Sequence, residues 1–331
     1  MRGEKQEPTI VDPNAAYETE AVEKDERQAL HRYVGWLKAQ VTVRNHRELK
    51  DLLFRVLLGM IILVVISPFF LIFVHVAMVG LMDLLGSGIG QGLELWTTFP
   101  GPGLQGGIRN AIIGTVILVL VAGAVGIPLS VLGAVYINEY SRPGFVRNSV
   151  EFTADVLAGI PSIVFGAFGF TFLVGFVGLG MGLVSGALTL AFMMIPTVLR
   201  TTQEALRQVP SSLREASLAL GATKWTTTWK ITIRAAFPGI VTGILLAIGR
   251  IMGETAPLIF TSGNNLGTPT SLFGPGSWVA SMPYTIWAYI TDPREYLQIR
   301  AHSTALALMA IVLVVDVIAN YISRKFTRRL V

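Results

Sequence analysis

Arg250 and Glu254 are the residues in this sequence best placed to do chemistry. They are the only charged side chains in an apolar block running from about Ala235 to Phe260. Read as a helix rising about 1.5 Å per residue, the block carries Arg250 roughly 18 Å beyond Pro238, near the middle of a bilayer. A charge at that depth is costly and normally faces a bundle interior or a pathway. Glu254 follows at i+4, on the same face. Arg before Glu is the weaker order for supporting a helix, so helix stabilisation explains the pair poorly. Pro257 cannot donate to the helix ladder and crowds the carbonyl of Gly253. A weakened helix beside a charged pair suits a gate or a binding site; the alternative is an ion pair that joins helices of a bundle.

The elements that must position this pair are membrane helices. Apolar residues make up 52% of the 331-residue chain and charged residues 14%, with a mean hydropathy of +0.59. Soluble domains carry about a quarter charged residues. The apolar residues fall in blocks near the roughly 20 residues that cross a bilayer: about Leu52–Leu81, Ile108–Ile137, Val156–Val177, Leu183–Leu199, Ala235–Phe260 and Thr304–Ile322. Six spans put every Lys/Arg-rich flank on one side. These flanks are Lys38 to Lys50, Arg142 with Arg147, the six basic residues from Arg200 to Arg234, and Arg324 to Arg329. Segments 82–107 and 178–182 carry no Lys or Arg, and 261–300 carries Arg294 and Arg300. The positive-inside rule then makes both termini cytoplasmic. It also accounts for the net charge of +5 without nucleic acid. Residues 1–50 read as a cytoplasmic tail ahead of a permease domain at 51–331. No apolar run follows Met1 closely, so the tail is not a cleaved signal peptide. Its Ala21–Val43 piece is either a polar helix on the membrane or a solvated segment.

Between the fourth and fifth blocks, about Thr201 to Arg234, lies a cytoplasmic stretch too long for a turn. Ser212-Leu213-Arg214-Glu215 has the form of a capping box, with Ser212 accepting from the backbone at Glu215. Ala216, Leu218, Ala219 and Leu220 favour helix, Gly221 suits a left-handed stop, and Thr223 can cap a second helix. The expected product is a helix, a glycine bend and another helix.

Glu215-Ala216, then Gly221, then Ile231 resembles the E-A-A…G…I-x-L-P loop of ABC importer permeases. Ser217 stands in place of the second Ala and Arg234 in place of the Pro. From about Gly106 onward, three segments are similar to the PstA type of phosphate importer permease. They are Ala158–Val164, Ala219–Trp225 and Gly249–Leu258, above all Gly253-Glu254-Thr255-Ala256-Pro257-Leu258. The resemblance implies an all-α integral membrane protein, a six-helix ABC type I importer permease bundle with cytoplasmic coupling helices. Ser212, Glu215, Ala216 and Gly221 would form the coupling surface for a pair of ATP-binding subunits. A sister permease of the PstC type, an external phosphate-binding protein and phosphate would be the other partners, with lipid around the bundle. On this reading Arg250 offers a guanidinium fork to phosphate, and Glu254 holds Arg250 between transport events. The resemblance also places Arg200 near the inner end of the pathway; the bland reading is an Arg snorkelling to the interface. Asp155 and Asp316 lie near cytoplasmic helix ends, and His75 is interfacial.

Some chemistry is excluded. Without Cys there are no disulfides, thiolate metal sites or Cys nucleophile. No metal-ligand spacing or Ser/His/Asp set can be assembled, and no cofactor is expected. Gly221-Ala222-Thr223-Lys224 lacks the spacing and strand context of a phosphate-cradling loop, so ATP hydrolysis belongs to a partner chain. The rivals are the same architecture for molybdate, tungstate or a phosphonate, an ATP-independent transporter, and a membrane-embedded enzyme.

Overall fold

Apolar blocks of this length fold as helices because a bilayer offers no partner to a backbone N–H or C=O. The computed structural model describes residues 30–32, 34–35, 46–86, 94–104, 106–274 and 276–327. Most of the tail, including nearly all of Ala21–Val43, lies outside the described residues. The chain divides into two units, Met1–Ile72 and Phe73–Val331. The first holds the start of α1 (His46–Gly86), whose Leu53, Phe54, Leu63 and Phe69 are more than half exposed, as lipid-facing side chains are.

The second unit holds the rest of α1, then α2 (Arg109–Tyr140), α3 (Phe145–Gly159), α4 (Ser162–Phe176), α5 (Leu183–Arg207) and α6 (Ser211–Ala219). After these come α7 (Lys224–Met252), α8 (Ala256–Thr261), α9 (Met282–Ile290) and α10 (Glu295–Thr327). Helices α1, α2, α5, α7 and α10 are each long and apolar enough to cross a membrane. Helices α3 and α4 make a sixth crossing when taken as one broken span, bent by 104°. The third block is therefore not the straight helix expected over Val156–Val177. Ile160, preceding Pro161, is forced extended (φ −71°, ψ 133°), and Pro161 begins the next helix.

Helix α5 is the centre of the bundle: 67% of its apolar window is buried, against 39% for α2 and 28% for α7. Leu118 and Ala122 of α2, Leu190 and Met194 of α5, and Ala247 and Ile251 of α7 form one core cluster with it. Lipid is as apolar as the core, so close packing of small residues drives helix association in membranes. A Cβ built on Gly239 would lie 2.7 Å from Ala205 Cβ, and one on Gly243 would lie 2.1 Å from Thr201 Oγ1. This Gly-x-x-x-Gly face seats α7 against α5. Buried hydroxyls return to their own helix: Thr115 to Ala111 O, Ser130 to Gly126 O and Thr189 to Ser185 O, at 2.6–2.8 Å.

The fifth block also differs from expectation. Helix α7 ends at Met252, and Gly253–Thr255 form a turn before α8, where Pro257 takes a first-turn position that needs no N–H. Pro257 packs on α4: a Cβ on Gly166 would stand 2.8 Å from Pro257 Cα. At the other end of α2, segments 98–104 and 276–281 pack against the bundle. Met282 N donates to Thr115 Oγ1 at 2.8 Å, and Arg294 Nη1 and Tyr296 OH both donate to Gly103 O.

Candidate functional site

Three clusters take shape around the residues singled out in the sequence. The first lies at the α7–α8 break. Arg250 occupies the last turn of α7, where a cation complements the helix dipole. Glu254 lies beyond the helix, in the turn, so the two do not share one helical face as expected. The turn nevertheless brings Arg250 Nε to 3.9 Å from Glu254 Oε1, an ion-pair distance without a hydrogen bond. The Arg250 side chain is 42% exposed and that of Glu254 17%, so the guanidinium has donors to spare. Asp316 of α10 packs beside Gly249: a Cβ there would lie 3.5 Å from Asp316 Oδ1.

The second cluster joins α3 to α5. Arg200 is not the end of its helix, since α5 continues to Arg207. It is an ion-pair partner of Asp155 and donates from Nη2 to Glu151 O at 2.7 Å. Glu151 Oε1 in turn accepts from Arg207 Nη2 at 2.7 Å and from Arg147 Nε at 3.1 Å. A recess of about 470 Å³ is lined by Asp155, Arg200, Thr201, Gln203, Glu204 and Arg207. Arg200 Nε and Gln203 Nε2 are buried with no hydrogen-bond partner among the described residues. Sequence reading missed Glu151 and Gln203, although an acid at i+4 from Arg147 was a visible signal.

The third cluster is the helical hairpin of α6 and the first turns of α7. Gly221 is left-handed (φ +81°), with Ala222 N bonded to Ser217 O and Gly221 N to Leu218 O, a Schellman stop. Thr223 caps α7 by accepting from Thr226 N at 3.2 Å, as expected. The capping box does not form. Pro210, held at φ −55°, starts the helix at Ser211, so Ser212 falls inside the first turn and makes no cap bond. Ser217, the departure from the loop pattern, has a partner: its Oγ lies 2.9 Å from Thr227 Oγ1, tying α6 to α7. With Arg234 in place of a proline, the second arm of the hairpin does not end before the span. It runs through a π-helical turn, Thr228–Thr232, into the fifth span. Glu215 and Ala216 are exposed, as are Leu218, Leu220 and Trp225. His75, expected at an interface, meets His302 edge to face at 5.3 Å.

A bundle of broken and unbroken helices long and apolar enough to span a membrane, with charged clusters at its helix ends and breaks and a glycine-bent hairpin, is the setting in which the family of this chain can be read. Residues 126–328 match the family described as the inner membrane component of binding-protein-dependent transport systems, and the chain belongs to that family. Among its relatives, a "Phosphate transport system permease protein PstA" of Xylella fastidiosa is 40% identical over 235 residues, 70% of this chain and 81% of that one. The protein of the same description from Yersinia pestis is 40% identical over 238 residues, 71% and 79% of the two chains. This places the chain among the PstA-type permeases, as a multi-pass inner-membrane transport component. A bacterial ABC transporter chain involved in alginate import has the same fold, with a TM-score of 0.60, 20% identity, and coverage of 85% of this chain and 99% of that one.

Proposed function

We propose that this chain is a permease subunit of an ATP-driven phosphate importer and passes the anion across the inner membrane by alternating access. The observation that carries this reading is the 40% identity to PstA proteins over about 70% of the chain. Arg250 presents paired donors to phosphate, and Glu254, at 3.9 Å, competes with the anion for them. Arg200 serves the inner end of the path. The permease domain spans residues 51–331, behind a cytoplasmic tail at 1–50, and both termini are cytoplasmic. The exposed face of Ser212, Glu215, Ala216 and Gly221 docks a pair of ATP-binding subunits within the coupling stretch at about 201–234. A sister permease of the PstC type completes the pathway, and an external binding protein delivers phosphate.

The test is labelled phosphate uptake in cells depleted of this chain and complemented with wild type, Glu215→Arg or Arg250→Ala at equal membrane levels. Both variants lose uptake, and only Glu215→Arg loses co-purification of an ATPase subunit. Normal uptake by both refutes the assignment of docking and pathway residues. Competition by molybdate, tungstate or a phosphonate at lower excess than phosphate refutes the substrate.

A further inference from the structure

Helix α6, which carries Glu215, has no buried residue, so side-chain packing does not hold it to the bundle. Its main polar connection to the bundle runs through Arg214, a residue outside the loop pattern. Arg214 Nη1 donates to Val209 O at 2.8 Å, and Nη2 donates to Leu206 O at 2.8 Å and to Glu139 Oε1 at 2.9 Å. One guanidinium thus gathers the trailing carbonyls of α5 and a carboxylate at the end of α2. Glu139 is nearly buried, its side chain 8% exposed, and it is held in place by Asn138 Nδ2 at 2.8 Å. It lies in the π-helical turn Tyr136–Tyr140, a departure from regular helix that often marks functional positions. The second arm of the hairpin reaches the same turn, with Lys224 Nζ 5.3 Å from the centre of the Tyr140 ring. The Ser217–Thr227 contact and the Schellman stop make the two arms one body.

We propose that Arg214 is the positioning residue that couples the hairpin to the ends of α2 and α5 through Glu139, Leu206 and Val209, so that a push on α6 moves the bundle. This rests on the reading of the chain as an ATP-driven permease. Glu215 and Arg214 divide the work. Successive helical residues point about 100° apart, so Glu215 faces outward to a partner while Arg214 faces the bundle. A lysine cannot reproduce the linkage, because three acceptors in two directions need a planar fork with several donors. Loss of the link leaves α6 joined to the bundle through α7 and the Lys224–Tyr140 contact, so nucleotide-driven motion still tilts α7 but no longer carries the ends of α2 and α5 with it.

The experiment uses the complete importer in proteoliposomes, reading labelled phosphate moved per ADP formed. Arg214→Ala keeps the ATPase subunits and continues to hydrolyse ATP, but moves about tenfold less phosphate per ADP, the worth of one charge-assisted hydrogen bond in a two-state equilibrium. Arg214→Lys falls between it and wild type. Glu139→Gln keeps the size of the side chain and gives the same direction of change should Arg214→Ala not assemble. The chain has no cysteine, so Arg214→Cys with Glu139→Cys allows a reducible bifunctional thiol reagent to replace the link. Coupling returns on cross-linking and disappears on reduction. A wild-type ratio in Arg214→Ala or Glu139→Gln overturns the proposal, as does a ratio that ignores the cross-link. A fall in assembled complex at constant ratio also overturns it, since that is what a purely structural residue would give. Wild-type complex that hydrolyses ATP without moving phosphate refutes the substrate reading instead.

Discussion

Substitution of Gly243 by alanine tests whether the α5–α7 crossing sets the working geometry of the permease. The added Cβ would stand 2.1 Å from Thr201 Oγ1 and 2.5 Å from Thr201 Cβ, far inside van der Waals contact. Thr201 also spends its hydroxyl on Thr197 O at 3.0 Å, so it cannot rotate freely out of the way. The helices must then part, or Thr201 must give up that bond. Overpacking of this kind costs about 1–3 kcal/mol. By the per-residue unfolding entropy of soluble domains, that is roughly a 1–4 °C fall in apparent Tm for a chain of this length. Thr201 is the neighbour of Arg200, and Arg250 lies two helical turns beyond Gly243 on α7, so parting the helices displaces both arginines and transport falls with stability. The assay is thermal unfolding of detergent-purified protein together with uptake, in a double-mutant cycle with Thr201→Gly. The double variant recovers most of the loss, giving a coupling of about 1 kcal/mol or more. Additive effects, or a Gly243→Ala protein as stable as wild type, refute the reasoning.

Arg250→Lys keeps the charge and loses the fork, and uptake drops by at least about tenfold with membrane levels unchanged; full uptake removes the paired-donor role of Arg250. Gly221→Val forces a β-branched residue to φ +81° with no atom within 4 Å of the new Cβ, so the cost is backbone strain alone, about 1–2 kcal/mol. Limited proteolysis of the hairpin should quicken accordingly, and less so for Gly221→Asn. The hydrogen bond from Arg294 holds the Asp292 carboxyl to about 2, against 3.8 ordinarily. A lowered carboxylate pKa stabilises above the unfolded value and fails as pH falls through the folded one. The loop bond from Arg294 to Gly103 O should therefore persist at pH 4 and loosen toward pH 2, read as amide exchange at residues 101–104 and 292–296, with Asp292→Asn loosened already at pH 7.

The spans and the hairpin were legible because their signals are local. Apolar blocks of 20 residues admit no fold but helix in lipid, and Gly221 followed by Thr223 spells a stop and a start within three residues. The elbow at Ile160-Pro161 was written in the same dipeptide that marks helix ends elsewhere. A proline inside a membrane block does not by itself mark a break, since Pro68, Pro128, Pro196 and Pro238 all lie within their helices. The capping box failed for the opposite reason: a strong local motif yielded to Pro210 two residues earlier. Contacts across long sequence separation left no local trace. Nothing near Arg214 announces Glu139, 75 residues away, and nothing near Arg200 announces Glu151, 49 away.

The unbroken run of α7 from Lys224 to Met252 has a mechanical consequence. Its tightest seat is Gly243 against Thr201, which makes that crossing a fulcrum. The arm toward Lys224 is about 28 Å long and the arm toward Arg250 about 10 Å, at 1.5 Å per residue. A sideways shift of about 3 Å at the hairpin reaches Arg250 as about 1 Å in the opposite sense, with force multiplied nearly threefold. The break at Gly253 ends the lever there, so the segments beyond it need not follow. Coarse travel at the hairpin becomes a fine, forceful adjustment of the guanidinium, on the scale at which an ion pair at 3.9 Å is made or released.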